Sequence, residues 1–289
     1  METEKDPQKM LATADLHFGS YADGDECTRR LAEDVCASDA DVFALAGDVA
    51  EKELEDLEQC LSLFDGFDGP KFFVPGNHDL WTTGDSSYRK YVRGMPGVAM
   101  KCGFHMLDVG PCVAGRTGFV GSVGWYDYSM RRDDLDFSEE DYAKKTLPGI
   151  GTWNDMNFVH WDYTDHEFTE YCVRRLSHHY GAIEDRVDSV VAVLHHLPFR
   201  ELLYGETGDR ALELCRAYMG AERLGELLLT WPKLRLCVCG HRHGMDSLEK
   251  EGVRSFVVGS TYQMKRLLSL DLSSGEHECR EYPPTEPDL

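Results

Sequence analysis

The sequence predicts an α/β fold in which a largely parallel sheet is covered by helices. Three observations carry that expectation. Compact apolar runs of strand length alternate with longer stretches whose apolar residues recur at helical spacing. No linker interrupts the pattern, so residues 1–289 read as a single domain. A chain of 289 residues also buries a substantial core without disulfide help.

The elements follow in order. Residues 10–14 (MLATA) form a short apolar strand, and residues 26–36 carry helical spacing at Leu31 and Val35. Residues 41–46 (DVFALA) and 71–74 (KFFV) are two further strands. Between them residues 51–64 place Leu54, Leu57, Leu61 and Phe64 on one helical face. From residue 124 to 188 the character changes to a segment dense in acids and aromatics, including Trp125, Tyr126, Tyr128, Trp153 and Trp161. It reads as an inserted cap. Within it, residues 164–180 form a helix that Thr164 caps and Glu167 completes as a capping box. The strand and helix pattern resumes with residues 189–194 (SVVAVL), 221–230 and 234–238 (LRLCV). Short strands over residues 254–258 and 266–272 finish the chain.

Composition narrows the function. The formal net charge of −22 repels polyanions, so long nucleic acid is not expected as a partner, whereas bound divalent cations would locally reverse the field for a small phosphorylated substrate. The opening METEKDPQKM lacks the basic flank and apolar stretch of a secretory signal. No apolar run approaches the roughly 20 residues a membrane span requires. Ten scattered cysteines without a CxxC pair read as reduced thiols. Together these give a cytoplasmic protein, with no membrane partner and an oligomeric state left open.

The chemistry sits where strands end. Asp15-Leu16-His17, Gly47-Asp48 and Gly76-Asn77-His78-Asp79 follow the first three strands, and His195-His196 and Gly240-His241-Arg242-His243 follow two later ones. Each alone is explained as a turn former or cap. Five such clusters on carboxyl-terminal strand ends would share one crevice. Carboxylate, carboxamide and neutral imidazole suit manganese, iron, zinc or similar divalent ions. Seven donors exceed what one catalytic ion needs, and suit two ions sharing a carboxylate. No G-x-S-x-G or P-loop pattern competes with this reading.

The series DLH, GDV, GNHD, HH and GHRH resembles the five-motif signature of the calcineurin-like metallophosphoesterases, in order from Asp15 to His243. That resemblance implies a four-layer αββα sandwich, two packed sheets flanked by helices, in place of one doubly wound sheet. It implies two divalent metal ions, with Asp15, His17 and His243 on one, Asn77, His195 and His241 on the other, and Asp48 bridging. It favours His195 over His196 as the ligand, since adjacent strand residues face opposite sides. His78 is implied to be the non-ligand beside the phosphate, a transition-state donor or leaving-group acid oriented by Asp79. The implied activity is hydrolysis of a small phosphodiester or phosphomonoester, such as a nucleotide or cyclic nucleotide. The alternative is a non-catalytic metal-binding scaffold of the same fold, as in the retromer scaffold subunit, which has lost the histidine that His78 retains here.

Some branches of that family are disfavoured. The second motif continues as Gly47-Asp48-Val49-Ala50-Glu51-Lys52, lacking the GDxxDRG of protein phosphatases, and Glu51 replaces the tyrosine of purple acid phosphatases. His160, His166, His178 and His179 read as surface or packing residues, and Arg131, Arg132 and Arg200 as solvated cations. One or two of Trp125, Tyr126 and Tyr128 are expected to face the site and stack on substrate, since they follow the glycine-rich exit at residues 121–124.

Overall fold

The computed structural model describes residues 2–3, 5–205 and 208–285. Its core is two β-sheets packed face to face. The first has six strands in the order His277–Tyr282, Lys265–Asp271, Lys9–Thr13, Val42–Ala46, Lys71–Val74 and Phe104–Met106. Its four N-terminal strands run parallel and its C-terminal pair antiparallel. The second has seven strands, Glu2–Thr3, Cys112–Ala114, Thr117–Ser122, Ser189–Leu194, Leu234–Cys239, Val253–Val258 and Met245–Lys250.

Strand alternation explains the layering. In the first sheet Met10, Ala12, Val42, Ala44, Phe72 and Val74 point inward, where they meet Phe119, Val191, Val193, Leu236, Val238 and Phe256 of the second. Their neighbours Leu11, Phe43, Leu45 and Phe73 point outward, beneath the helices Ala22–Cys36, Leu54–Ser62 and Met95–Lys101. The second sheet's outer face is covered by Asp165–Gly181 and Glu222–Leu229, through Leu176, Tyr180, Leu224 and Leu228. Both faces of every central strand are therefore apolar. An apolar run does not reveal which sheet it joins, so the strand and helix pattern read as one sheet where the structure has two.

The helix Asp165–Gly181 begins as its capping box requires: Thr164 Oγ1 accepts from Glu167 N at 3.2 Å and Glu167 Oε2 from Thr164 N at 2.8 Å. It is also the crossover between the parallel neighbours Thr117–Ser122 and Ser189–Leu194. Ahead of it, residues 124–164 fold as short pieces: the helices Glu139–Lys144 and Asp155–Phe158, and a two-stranded ribbon of Thr146–Leu147 with Gly151–Thr152. No helix among the described residues is long and apolar enough to cross a membrane. Among the described residues no disulfide joins any of the ten cysteines, and Cys237 and Cys239 are fully buried on one strand.

Candidate metal centre and substrate cavity

Each sheet contributes strand ends to the same edge of the sandwich. The loops after Lys9–Thr13 and Val42–Ala46 lie side by side, because Asp15 N donates to Gly47 O, His17 N to Asp48 O and Phe18 N to Val49 O, all at 2.9 Å. These tight turns need unusual backbone. Asp15, His17, Asp48 and His241 all adopt positive φ, between 45° and 65°, the left-handed region that disfavours any residue with a Cβ. Each such residue costs on the order of 1 kcal/mol or more, and such strain concentrates at functional sites. Two glycines make the close approach possible. A Cβ on Gly76 would lie 2.0 Å from Asp48 Oδ1, and one on Gly47 would lie 2.3 Å from His195 Nδ1.

All seven expected ligand residues converge there, six of them buried and His243 partly exposed. Ligand atoms of Asp15, His17 and His243 lie within 4.8 Å of one another, as do those of Asp48, His195 and His241. His17 Nε2 is 3.2 Å from His243 Nε2 and 3.9 Å from Asp48 Oδ2. His195 Nε2 is 3.0 Å from His241 Nδ1, 3.2 Å from Asn77 Oδ1 and 3.4 Å from Asp48 Oδ2. His196 belongs to neither group: its Nδ1 meets Val123 O at 2.8 Å, and its ring packs against His241, Trp125 and Tyr126.

The hydrogen bonds around the cluster leave it suited to a cation. His195 Nδ1 sits 2.9 Å from the carbonyl of Ala46, and His241 Nε2 sits 3.2 Å from that of Tyr218. Those nitrogens must carry the protons, so His195 Nε2 and His241 Nδ1 present lone pairs to each other. The Asn77 carboxamide gives its Nδ2 to Asp155, which turns Oδ1 toward the same point. Two imidazole lone pairs, a carboxamide oxygen and a carboxylate thus face one spot with no donor between them. Acceptors arranged in that way repel unless a cation lies among them. Asp15 Oδ2 and His17 Nδ1 are likewise buried without a hydrogen-bond partner. The residues fit divalent ions.

The charges agree. Burial, helped by neighbouring imidazoles, pushes His17 and His241 well below the usual histidine range, which leaves them in the neutral, ligating form. Burial pushes Asp15 up, with Asp48 adding to the shift. Burial alone would raise Asp48 too, but His195, His78 and His17 hold it well below the usual carboxylate range.

The other two expected residues part company. The His78 ring lies beside the centre, stacked on Trp81 at 3.7 Å and edge-on to His17 at 4.6 Å, and it lines the cavity. Asp79 does not reach that imidazole. Its carboxylate accepts from the backbone amides of Gly76 at 2.8 Å, Ala50 at 2.9 Å and Val49 at 3.2 Å, bracing the second and third motif loops together. The carboxylate facing His78 Nδ1 belongs to Glu51, at 3.6 Å. Burial opposes a charge on His78, but Asp48 and Glu51 outweigh it and raise its pKa.

A cavity of about 960 Å³ opens over the centre. Asp48, Asn77, His78, His241 and His243 form its polar end, and Trp81, Trp153, Tyr204, Leu212, Met219 and Tyr262 form its apolar walls. Trp125, Tyr126 and Tyr128 line none of it. They are at most 2% exposed and form a mini-core with Tyr142, Phe168 and Tyr218, so the ring that this segment brings to the cavity is that of Trp153. The glycine exit does lead toward the site, but the backbone at Trp125 and Tyr128 has positive φ, 103° and 63°, and turns these rings inward. Arg132 pairs with Asp134 and Arg200 with Glu222. The cavity's arginine is Arg242, held by Asp246 at 2.6 Å. Asp155 went unread in the sequence, and Glu51 and Trp153 were not expected at the site, because nothing local to any of the three marks its distant partners.

Comparison with known proteins accords with this geometry. Several solved structures share the fold, among them a phosphopantetheinyl hydrolase from Mycobacterium tuberculosis, 21% identical over 88% of this chain and 90% of that one, with a TM-score of 0.68. A dimetal phosphatase from Danio rerio is 13% identical over 97% of this chain and all of that one, with a TM-score of 0.58. The protein TT1561 of Thermus thermophilus is also 13% identical, over 96% of this chain and all of that one, with a TM-score of 0.62. No curated protein gives a significant sequence match. The model of the calcineurin-like phosphoesterases matches residues 9–245, which span every motif at the strand ends. The chain therefore belongs to the calcineurin-like phosphoesterase family and is a metal-dependent phosphoric ester hydrolase.

Proposed function

We propose that the protein is a dinuclear enzyme hydrolysing a small phosphodiester or phosphomonoester with an organic leaving group, such as a nucleotide or cyclic nucleotide. The observation that carries this is the convergence of His195 Nε2, His241 Nδ1, Asn77 Oδ1 and Asp48 Oδ2 beside the separate Asp15, His17 and His243 cluster. Manganese, iron, zinc or similar ions held there would supply activation of water and screening of phosphate charge.

The protein's own groups do the rest. His78 presents its ring to the cavity with the Glu51 carboxylate 3.6 Å from its Nδ1, a nearby negative charge that favours the protonated ring a leaving-group acid needs. Bound cations would push that proton off, and the Glu51 contact opposes them. Arg242 offers a guanidinium at the cavity wall, and the apolar wall from Trp153 to Met219 excludes water around the leaving group. Residues 1–289 act as a single domain in this reading; of the expected cap, residues 124–188, the part before Asp165 serves as one, because Thr152, Trp153 and Asn154 reach the cavity, whereas Asp165–Gly181 covers the second sheet. Free thiols at all ten cysteines suit a cytoplasmic setting.

The test compares p-nitrophenyl phosphate with its bis ester on chelated and manganese-reconstituted protein. Turnover that disappears with chelation and returns with metal supports the reading. Full turnover by metal-free protein overturns it, and tight metal binding without hydrolysis of any phosphoester favours the scaffold.

A further inference from the structure

Asp155 is a buried carboxylate, 1% exposed, in a segment that contributes no ligand. Both its oxygens are saturated. Oδ1 accepts from Asn77 Nδ2 at 2.9 Å and Trp81 Nε1 at 2.7 Å, and Oδ2 from Tyr126 OH at 2.8 Å and Trp153 Nε1 at 2.7 Å. Four donors on three separate segments therefore meet one side chain. A carboxylate has about four lone-pair directions, so none is left over. Such a group is costly to bury unless hydrogen-bonded throughout, and the completeness of its shell marks a fixed position.

What it fixes matters for the metal centre. An asparagine carboxamide has two nearly isosteric orientations. With Asp155 in place, turning it over would set the Asn77 oxygen against a carboxylate oxygen, a repulsive contact in a dry site, and would turn toward the ion site an NH₂ that has no lone pair to offer a cation. The negative charge behind Nδ2 also polarises the amide and makes Oδ1 a stronger donor to a cation. The same side chain holds Trp81, on which His78 stacks, and Trp153, whose ring packs on Tyr218 and edges against His241.

We propose that Asp155 is a positioning residue through which the segment after the first three motifs completes the metal centre. It locks Asn77 in its ligating orientation and ties that orientation to two aromatic walls of the substrate cavity. This rests on the two-ion reading above. Substrate contacts on Trp153 and ion binding at Asn77 then share one rigid element, so each favours the other.

Manganese titration of the metal-stripped full chain tests the idea, with wild type beside Asp155→Asn, Asp155→Ala and the control Asp165→Asn. Asp165 is the other buried carboxylate of this segment, and it bonds Trp125, Tyr128 and Lys145 without touching a ligand. Both Asp155 variants should lose roughly 10- to 100-fold in affinity at one of two sites, the usual effect of removing an outer partner of a ligand. Asp165→Asn should lower the melting temperature yet keep both affinities. In an Asn77→Ala background, Asp155→Asn should add no further loss. Wild-type affinities in the Asp155 variants, or equal losses for Asp155 and Asp165 variants, would overturn the proposal. Should the variants not fold, the wild type decides: in ¹⁵N-labelled protein one Asn77 amide proton should be slowly exchanging with and without metal, and two fast-exchanging protons would reject the lock. A wild type that binds no manganese would instead refute the two-ion reading itself.

Discussion

Substituting Gly76 with alanine perturbs the centre without changing a ligand. Its backbone has φ −102° and ψ −175°, ordinary extended geometry open to alanine, so no conformational strain accompanies the change. The effect is purely steric. The new Cβ would lie 2.0 Å from Asp48 Oδ1 and 2.4 Å from Asp48 N, and real Cβ contacts stay above 3.0 Å, so the loop and the carboxylate must part by at least 1.0 Å. Metal–ligand distances tolerate about 0.2 Å, which makes this displacement roughly five times too large for the carboxylate proposed to bridge two ions. The strain of overfilling, typically about 1–3 kcal/mol, is small enough for the protein to remain folded. Gly76→Ala should therefore retain its circular dichroism but lose at least about 10²-fold in turnover, with weakened binding of both ions, measured by p-nitrophenyl phosphate hydrolysis and calorimetric manganese titration. Gly97→Ala is the matched control, since nothing lies within 4 Å of its added Cβ and it sits in the helix Met95–Lys101. Full ion stoichiometry and wild-type turnover in Gly76→Ala would show that Asp48 does not hold the ions.

His78→Ala should bind metal nearly normally yet turn over roughly 10²- to 10⁴-fold more slowly on esters whose leaving group needs a proton, and lose less on nitrophenyl esters. Glu51→Gln should shift activity in the same direction by less. Equal losses on both ester types would make His78 a phosphate-positioning group. Away from the site, burial on the helix Asp165–Gly181, reinforced by Arg175, His178 and His105, pushes His179 down to about 4. Its folded pKa lies below the unfolded value near 6.5, so the unfolded chain binds the extra proton between the two. The associated stability is complete above about pH 6.5 and falls away as pH drops toward 4. Urea unfolding across that window should show a shallower acid decline in His179→Gln, and parallel curves for variant and wild type would refute the assignment.

Readable from the sequence alone were the candidate ligand residues and the strands that they follow. Asp15, His17, Asp48, Asn77, His195, His241 and His243 were legible because each follows an apolar run, and a strand's end is fixed by where its apolar residues stop. The choice of His195 over His196 rested on strand alternation, and the structure places the His195 ring on Ala46 O and that of His196 on Val123 O. Local signals also placed the helix at Asp165–Gly181, since a capping box involves residues only three apart. Tertiary structure decided whatever depends on residues distant in the chain. A strand apolar on both faces does not encode its sheet, so the second sheet was invisible to periodicity. Glu51, and not the expected Asp79, faces His78 because a carboxylate's contacts are set by loop trajectory, and here positive-φ turns at Asp15 and Asp48 draw those loops together. Asp155 carried no signal at all: its four partners come from positions 77, 81, 126 and 153, and only folding brings them to one carboxylate.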